Sequence, residues 1–502
     1  MNSSTGSSGL RASYDSVPYE SHPFVQSHPD RLATIGTLFG MSPRLDAARV
    51  LEIGCASGGN LLPMAATLRE WQFVGIDFSQ VQIDRGLDDL RALALPNARL
   101  IAMDLLDLDS ALGTFDYIIA HGVLSWVPRR VQDKLFDACA RHLAPAGIAY
   151  ISYNTLPGWS TRRTVRDAMR FHTRDVRDAH GRVQLARAVL DFLARHAPTD
   201  NPAYAAMLRA ENEEVQAKAD YYVFHEHLEE VNEAFHFHEV IERAGAVGLK
   251  YLGEASFRTM LPHDILPAGQ QALGMIAPDL VGREQLLDFL RHRTFRQTLL
   301  VHDATELQRK VSPLRITSLY VASRARAERA PGASDASGTY TLPDGTRGTV
   351  AGAIAHAALA ALADVWPMSL RFATLLERAQ AGTARTDAQD EATLASALLG
   401  AYAAGLVELH ALPAPFTVSP GDRPQAGLVQ RLHASRGRQI TTLRHEELNV
   451  DPVTRQLVMS LDGAGGRDDI AARVWPQLAR DAARALVDEA LPQLARQALI
   501  VA

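Results

Sequence analysis

Cysteine is nearly missing from this sequence: two residues in 502, Cys55 and Cys139. With only two, neither a disulfide framework nor a cysteine-based zinc site is expected. Basic charge is in no excess either. The net charge of −6 leaves no footprint for nucleic acid and no polybasic membrane patch. Long hydrophobic runs are absent too. The most apolar stretch, Val350 to Ala363, is Ala-rich, interrupted by His356 and too short to span a bilayer. Met1 to Leu10 is rich in Ser and Gly and lacks the charged-then-apolar form of a secretory leader. These shortages point to the cytoplasm, without membrane insertion and without nucleic acid as a partner.

Hydrophobic residues at 47% and charged residues at 22% fit an ordinary globular protein, and the length allows roughly two to four domains. The chain is organised around Arg49 to Asn60. A short apolar run ends in Glu52 and Ile53, breaks into the small-residue loop Gly54-Cys55-Ala56-Ser57-Gly58-Gly59, and leads into a helix-like stretch, Leu61 to Leu68. This is the pattern of a buried parallel strand, a tight loop and a helix start. Glycines let a ligand approach the backbone, and free amides at a helix start favour an electron-rich group. A nucleotide-like ligand is expected over this loop.

Two ligands compete. Gly54-x-Ala56-x-x-Gly59 is a degraded dinucleotide fingerprint, with Asp77 placed as a ribose-binding acid. Glu52-x-Gly54-x-Ala56-x-Gly58 instead resembles the first motif of class I S-adenosylmethionine-dependent methyltransferases, with Ala for the middle Gly. The following strands decide. Trp71 to Asp77 and Ala98 to Asp104 each read as a strand ending in an acid, and Phe115 to His121 reads as a fourth strand. Asp77 can accept bonds from ribose hydroxyls; Asp104 can accept one from an adenine amino group, with Leu105 against the ring. Each acid alone could be a helix cap, but three at successive strand ends are hard to obtain by chance. A fifth strand, Gly147 to Asn154, completes an alternation with helices that predicts a doubly wound parallel sheet.

"LEIGCASGG", "VGIDFS", "MDLLD" and "FDYIIAHGVLSWVP" stand in the order and spacing of the class I methyltransferases, and no second nucleotide half follows, so the dehydrogenase reading falls away. The resemblance implies S-adenosylmethionine as cofactor, held by Glu52, Gly54, Cys55, Ala56, Gly58, Asp77, Phe78, Asp104, Leu105 and His121. For catalysis it points to His121, after the fourth strand, with Tyr14, Tyr19, Trp126, Tyr153 and Asn154 lining the acceptor site. Any of these can equally be a packing or capping residue, and no general base can be assigned.

Beyond Thr155 the pattern turns helical. Thr164 to Ala197 and Pro202 to Ala219 read as helices, Phe237 to Ala244 as an amphipathic helix, and Gly248 to Glu254 and Arg315 to Ala322 as strands. We expect these two strands to finish the sheet, making 158–235 and 260–310 helical insertions in one domain, 49–325, behind an N-terminal cap, 1–48. His225 and Glu229 would share a helix face, as metal ligands can, but the spacing matches no standard ligand pattern and no metal is assigned. A polar patch or a channel lining is the plainer reading. Gly332 to Gly348 reads as part of a linker, 326–349, and 350–502 as a mainly helical, winged-helix-like domain with a strand pair near Gly405 to His410.

"SYDSVPYESHPFVQSHPDRL", "YISYNTLPGW", "HEHLEEVNEAFHFHEV" and "RTFRQTLLVH" extend the resemblance over nearly the whole chain. It is similar to methyltransferases with a methyltransferase regulatory domain, typified by the rickettsial-type protein lysine methyltransferases. That family implies an α/β, Rossmann-like class I sheet with helical insertions, a homodimer, and a protein lysine substrate. Two alternatives stand beside it: methylation of a small molecule under a helical lid, and a regulatory protein that binds S-adenosylmethionine without turnover.

Overall fold

The computed structural model describes residues 19–329, 337–383, 387–437 and 439–501. Its centre is a seven-stranded sheet in the order β3-β2-β1-β4-β5-β7-β6. The strands are β1 Arg49–Ile53, β2 Gln72–Asp77, β3 Ala98–Ala102, β4 Phe115–Ala120, β5 Leu143–Asn154, β6 Leu249–Glu254 and β7 Phe295–His302. β1 to β5 run parallel. Helices cover both faces, so the central strands are near-continuous apolar runs: Val50, Leu51 and Ile53 in β1, Ile118 to Ala120 in β4. The strand order reverses between β1 and β4, which opens a crevice at the carboxyl ends of those strands. This is a Rossmann-like fold with an added helical C-terminal region.

β5 leads into a helical layer, Gly158–Thr173, Ala179–His196, Pro202–Ala217 and Asp220–Val223, closed by a π-helical turn, Phe224–Leu228. The layer has its own core, built on Val165, Met169, Val183, Leu190, Leu208 and Phe224. The helix Phe237–Gly245 then returns the chain to β6.

The last strand differs from the sequence reading. β7 lies inside 260–310, expected to be a helical insertion, and Arg315 to Ala322 is not in this sheet. β7 pairs antiparallel with β5 on one side and β6 on the other. Thr298 to Val301 are all buried, and a run buried on both faces has no alternation to separate it from a helix. Only Pro267–Ile276 and Leu280–Arg291 in that stretch are α-helical. The sheet therefore closes at His302, ahead of the expected boundary at 325. Tyr320–Ala322 pairs instead with Leu370–Arg371 and Glu408–His410 in a separate antiparallel sheet.

The expected linker 326–349 is also corrected. Its described part forms an antiparallel sheet of Arg326–Ala327, Ser337–Thr341 and Arg347–Ala351, with Tyr340 and Val350 buried. Gly345, at φ +84°, sits in the turn between the last two strands. Beyond it there are two packed units, not one domain from 350. Helices Ala353–Val365, Phe372–Ala381 and Asp390–Ala403 share one core with the helix Pro29–Leu38 and the sheet, through Leu359, Leu375 and Leu398 against a cluster that holds Leu32, Ile35 and Val50. Helices Leu428–Ser435, Pro452–Ser460, Arg467–Val474 and Arg480–Arg496 enclose a second core, built on Leu457, Ile470, Val487 and Leu491. No helix among the described residues is long and apolar enough to cross a membrane.

Candidate active site

The loop after β1 turns by repeated left-handed backbone steps: Gly54 at φ +74°, Ala56 at +46° and Gly58 at +80°. The amides of Gly54 and Cys55 both donate to the Ile76 carbonyl, 2.8 and 3.1 Å, pinning the loop to β2. At Gly59 a Cβ would stand 2.3 Å from the Ser21 carbonyl oxygen, so only glycine lets the segment Tyr19 to Phe24 cross here. The Gly59 amide donates to Ser21 Oγ, 2.7 Å.

Over the loop lies a cavity of about 470 Å³. Of the expected cofactor residues, Glu52, Gly54, Cys55, Ala56, Asp77, Phe78, Asp104, Leu105 and His121 line it. Gly58 lies behind, packed on Leu62, and makes the turn. Asp77 fixes the loop with both oxygens, accepting from the Ala56 amide and the Ser79 amide, each at 2.9 Å. Asp104 Oδ1 accepts from the Leu106 amide, 3.0 Å.

Glu52 is the most unusual of these groups. Oε1 accepts from Asn60 Nδ2, 2.8 Å, while Oε2 is buried without a partner. Burial pushes its carboxyl up to about 8; the Asn60 hydrogen bond opposes this and nearby Asp77 reinforces it. An orphaned acceptor beside a glycine-rich loop fits a ligand that brings its own donor, such as an amino or hydroxyl group. Asn60, which sequence reasoning missed, is held in turn by His445: His445 Nε2 lies 2.7 Å from Asn60 Oδ1.

His121, after β4, is stacked on Phe24 with ring centroids 3.6 Å apart, and its Nδ1 is 2.8 Å from the Tyr150 hydroxyl. Burial pushes its pKa down to about 3, so the ring is neutral. A neutral, stacked imidazole can position a reacting group but is a weak base.

The structure brings four of the expected acceptor-side residues to the cavity wall: Tyr19, His121, Trp126 and Asn154. Tyr14 falls outside the described residues. Tyr153 is a correction: it is fully buried, its hydroxyl 3.0 Å from Thr298 Oγ1, and it is not on the cavity wall.

The far wall comes from the helical layer and the start of β7: Trp159, Arg162, Tyr222, His225, Glu226 and Phe295. Of these only His225 was singled out in the sequence, for its pairing with Glu229. The pair exists, with Nδ1 3.0 Å from Glu229 Oε1, and it is buried. The usable signal for the others was the density of histidine, tyrosine and carboxylate in 221–230.

Comparison with known proteins follows the same division. A family model described as "Methyltransferase domain" matches residues 50–147, and one described as "Predicted methyltransferase regulatory domain" matches 219–302. Uncharacterized protein RP028 of Rickettsia prowazekii is 42% identical over 243 residues, which is 48% of this chain and 97% of that protein. Uncharacterized protein RP789 of the same organism is 41% identical over 309 residues, 61% of this chain; the match spans 56% of its length, just over half. Among solved structures, PKMT2 from Rickettsia typhi in complex with AdoHcy is 29% identical with a TM-score of 0.86, covering 97% of this chain and all of that one.

Proposed function

We propose that this chain, which belongs to the class I S-adenosylmethionine-dependent methyltransferases with a methyltransferase regulatory domain, methylates a protein, at lysine side chains. One observation carries this reading. The chain matches PKMT2 of Rickettsia typhi, a protein lysine methyltransferase by its name, over 97% of its length, well beyond the nucleotide-binding sheet. A small metabolite needs only the sheet and a lid; the additional packed units suit a macromolecular acceptor.

The residues on the cavity wall fit the cofactor. Glu52 Oε2 would offer a buried acceptor to its amino or hydroxyl groups, Asp77 would take the ribose hydroxyls, and Asp104 with Leu105 would hold the adenine. The sulfonium supplies an already activated methyl group. What the protein adds is alignment and exclusion of water. His121, neutral and held by Phe24 and Tyr150, and the indole of Trp126 shape an apolar approach that favours an uncharged amine. Two buried free thiols, Cys55 and Cys139, suit the reducing cytoplasm in which we place the protein.

The test is transfer of a labelled methyl group from S-adenosylmethionine to cell lysate, followed by mass spectrometry of the product. Label on lysine residues of protein is expected. Label in a soluble small molecule, or none at all despite cofactor binding, would replace this reading by one of its alternatives.

A further inference from the structure

The acceptor end of the cavity contains a carboxylate with nothing to bind. Glu226 sits in the π-helical turn Phe224–Leu228, lines the cavity and is 9% exposed. Its backbone carbonyl accepts from Asn232 Nδ2 at 3.0 Å. Its side chain makes no hydrogen bond or ion pair to any described residue. Burying a carboxylate without a partner is costly, and such a group is retained where a ligand completes it.

The surroundings identify the ligand's charge. The nearest cation on the wall, Arg162, is already committed to Glu214 at 2.5 Å and Glu211 at 3.7 Å. The rings of Tyr19, Tyr222, His225 and Trp159 line the same cavity, with Tyr19 and His225 in edge contact at 5.8 Å, and aromatic faces attract alkylammonium groups. An anion would be repelled by Glu226, and a neutral donor would leave its charge uncompensated, whereas an ammonium group supplies both a donor and the opposite charge.

Building on the methyltransferase reading above, we propose that Glu226 binds the ammonium group of the acceptor and takes its proton before methyl transfer. The alkylammonium passes one N–H proton to the carboxylate, leaving a neutral amine and a carboxylic acid. The amine lone pair then forms the new N–C bond as the S–CH₃ bond breaks, and that electron pair stays on sulfur. The product is a methylated ammonium, and Glu226 returns its proton to solvent when the product leaves.

The proton affinity of Glu226 suits this role. Burial raises its pKa to about 7; Arg162, Arg166 and Lys218 oppose the rise and Glu214 adds to it. The base form grows as pH rises through 7, near the optimum for a group that both accepts and releases a proton. The chain Asn154–Asn232–Glu226, with Asn154 Nδ2 3.0 Å from Asn232 Oδ1, ties this turn to the end of β5 beside the cofactor loop.

The test measures binding first, on the full chain saturated with S-adenosylhomocysteine. Calorimetry compares Nα-acetyl-lysine methylamide with its neutral norleucine analogue for the native chain, Glu226→Gln and Glu226→Asp. The native chain should prefer the lysine probe about tenfold, as one charge-assisted bond provides. Its affinity should rise with pH through about 7. Glu226→Gln should lose both the preference and the pH dependence while still binding S-adenosylhomocysteine, and Glu226→Asp should recover part of the preference. Equal lysine-probe affinity in native and Gln chains, or no preference in the native chain, overturns the proposal. If label still reaches protein lysine in that case, the lysine reading stands and only the role of Glu226 falls. If the probe result holds but label goes elsewhere, the ammonium site stands and the lysine reading falls.

Discussion

Ala56 holds a left-handed backbone position, φ +46°, that costs an L-residue about 1–2 kcal/mol. Ala56→Gly removes that strain but returns entropy to the unfolded chain, so a net gain of about 1 kcal/mol in urea unfolding is expected. A loss would mean that the Ala56 methyl packs usefully. Glu52 makes the second case at this scale. Its folded-state pKa of about 8 lies above the ordinary 4.5, so the bound proton stabilises the ligand-free fold. That contribution is complete below pH 4.5 and is lost as pH rises through 8. Against Glu52→Gln, the native ligand-free protein should therefore lose on the order of 4 kcal/mol across this range. Thermal melts of both proteins at pH 5 and pH 8.5 check it; parallel melts would place Glu52 in a wetter site. The motif positions of Ala56 and Glu52 were legible in the sequence. The proton affinity was not, because Asn60 and the burial that set it come from folding.

Among the elements, β6, β7 and the helix Leu280–Arg291 are joined by one side chain. Arg296 is fully buried and reaches Glu254 at 2.6 Å, Asp288 at 2.8 Å and Glu284 at 3.1 Å, with its guanidinium 3.9 Å from the Phe237 ring centroid. Arg296→Met removes the buried cation shared by three carboxylates, leaving Arg293 beside Asp288 and Glu284, and should cost about 3–5 kcal/mol, or abolish soluble expression. A melt within 2 °C of native would refute the clamp. "RTFRQTLLVH" carries part of the family resemblance, yet the buried run of β7 has no period that marks it as a strand. A second link joins distant elements. His445, on the turn between Ile440–Thr441 and Glu447–Leu448, fixes Asn60 and through it Glu52. His445→Ala should weaken S-adenosylhomocysteine binding by about 1 kcal/mol, the worth of one buried hydrogen bond. Unchanged affinity by calorimetry would show that Ser27 and the Phe24 amide hold Asn60 in place without His445.

For the molecule as a whole, the C-terminal region is part of the fold that carries the site. Leu359, Leu362, Phe372 and Leu375 belong to the same buried cluster as Leu32, Ile35 and Val321. A chain stopped at residue 331 exposes that cluster, and each large side chain left in water forfeits about 1.5–3 kcal/mol. Such a truncation should aggregate or elute as an expanded species, with no cooperative melt. A soluble, compact fragment that binds S-adenosylhomocysteine would show the sheet to be self-sufficient.

What the sequence determined by itself was local: strands β1 to β6, the loop between them and its small residues, and the acids at the ends of β1, β2 and just after β3. Each depends on neighbours within a few residues, through backbone conformation, apolar runs and hydrogen bonds to adjacent amides. Tertiary structure decided what depends on distant neighbours. It placed β7 in the sheet instead of 316–322, kept Tyr153 off the cavity wall, and brought His445 to Asn60 and Glu226 to the cavity. The physical reason is the same in each case. A buried side chain's partner is set by how layers stack, and residues far apart in the chain carry no mark of the contact they will make.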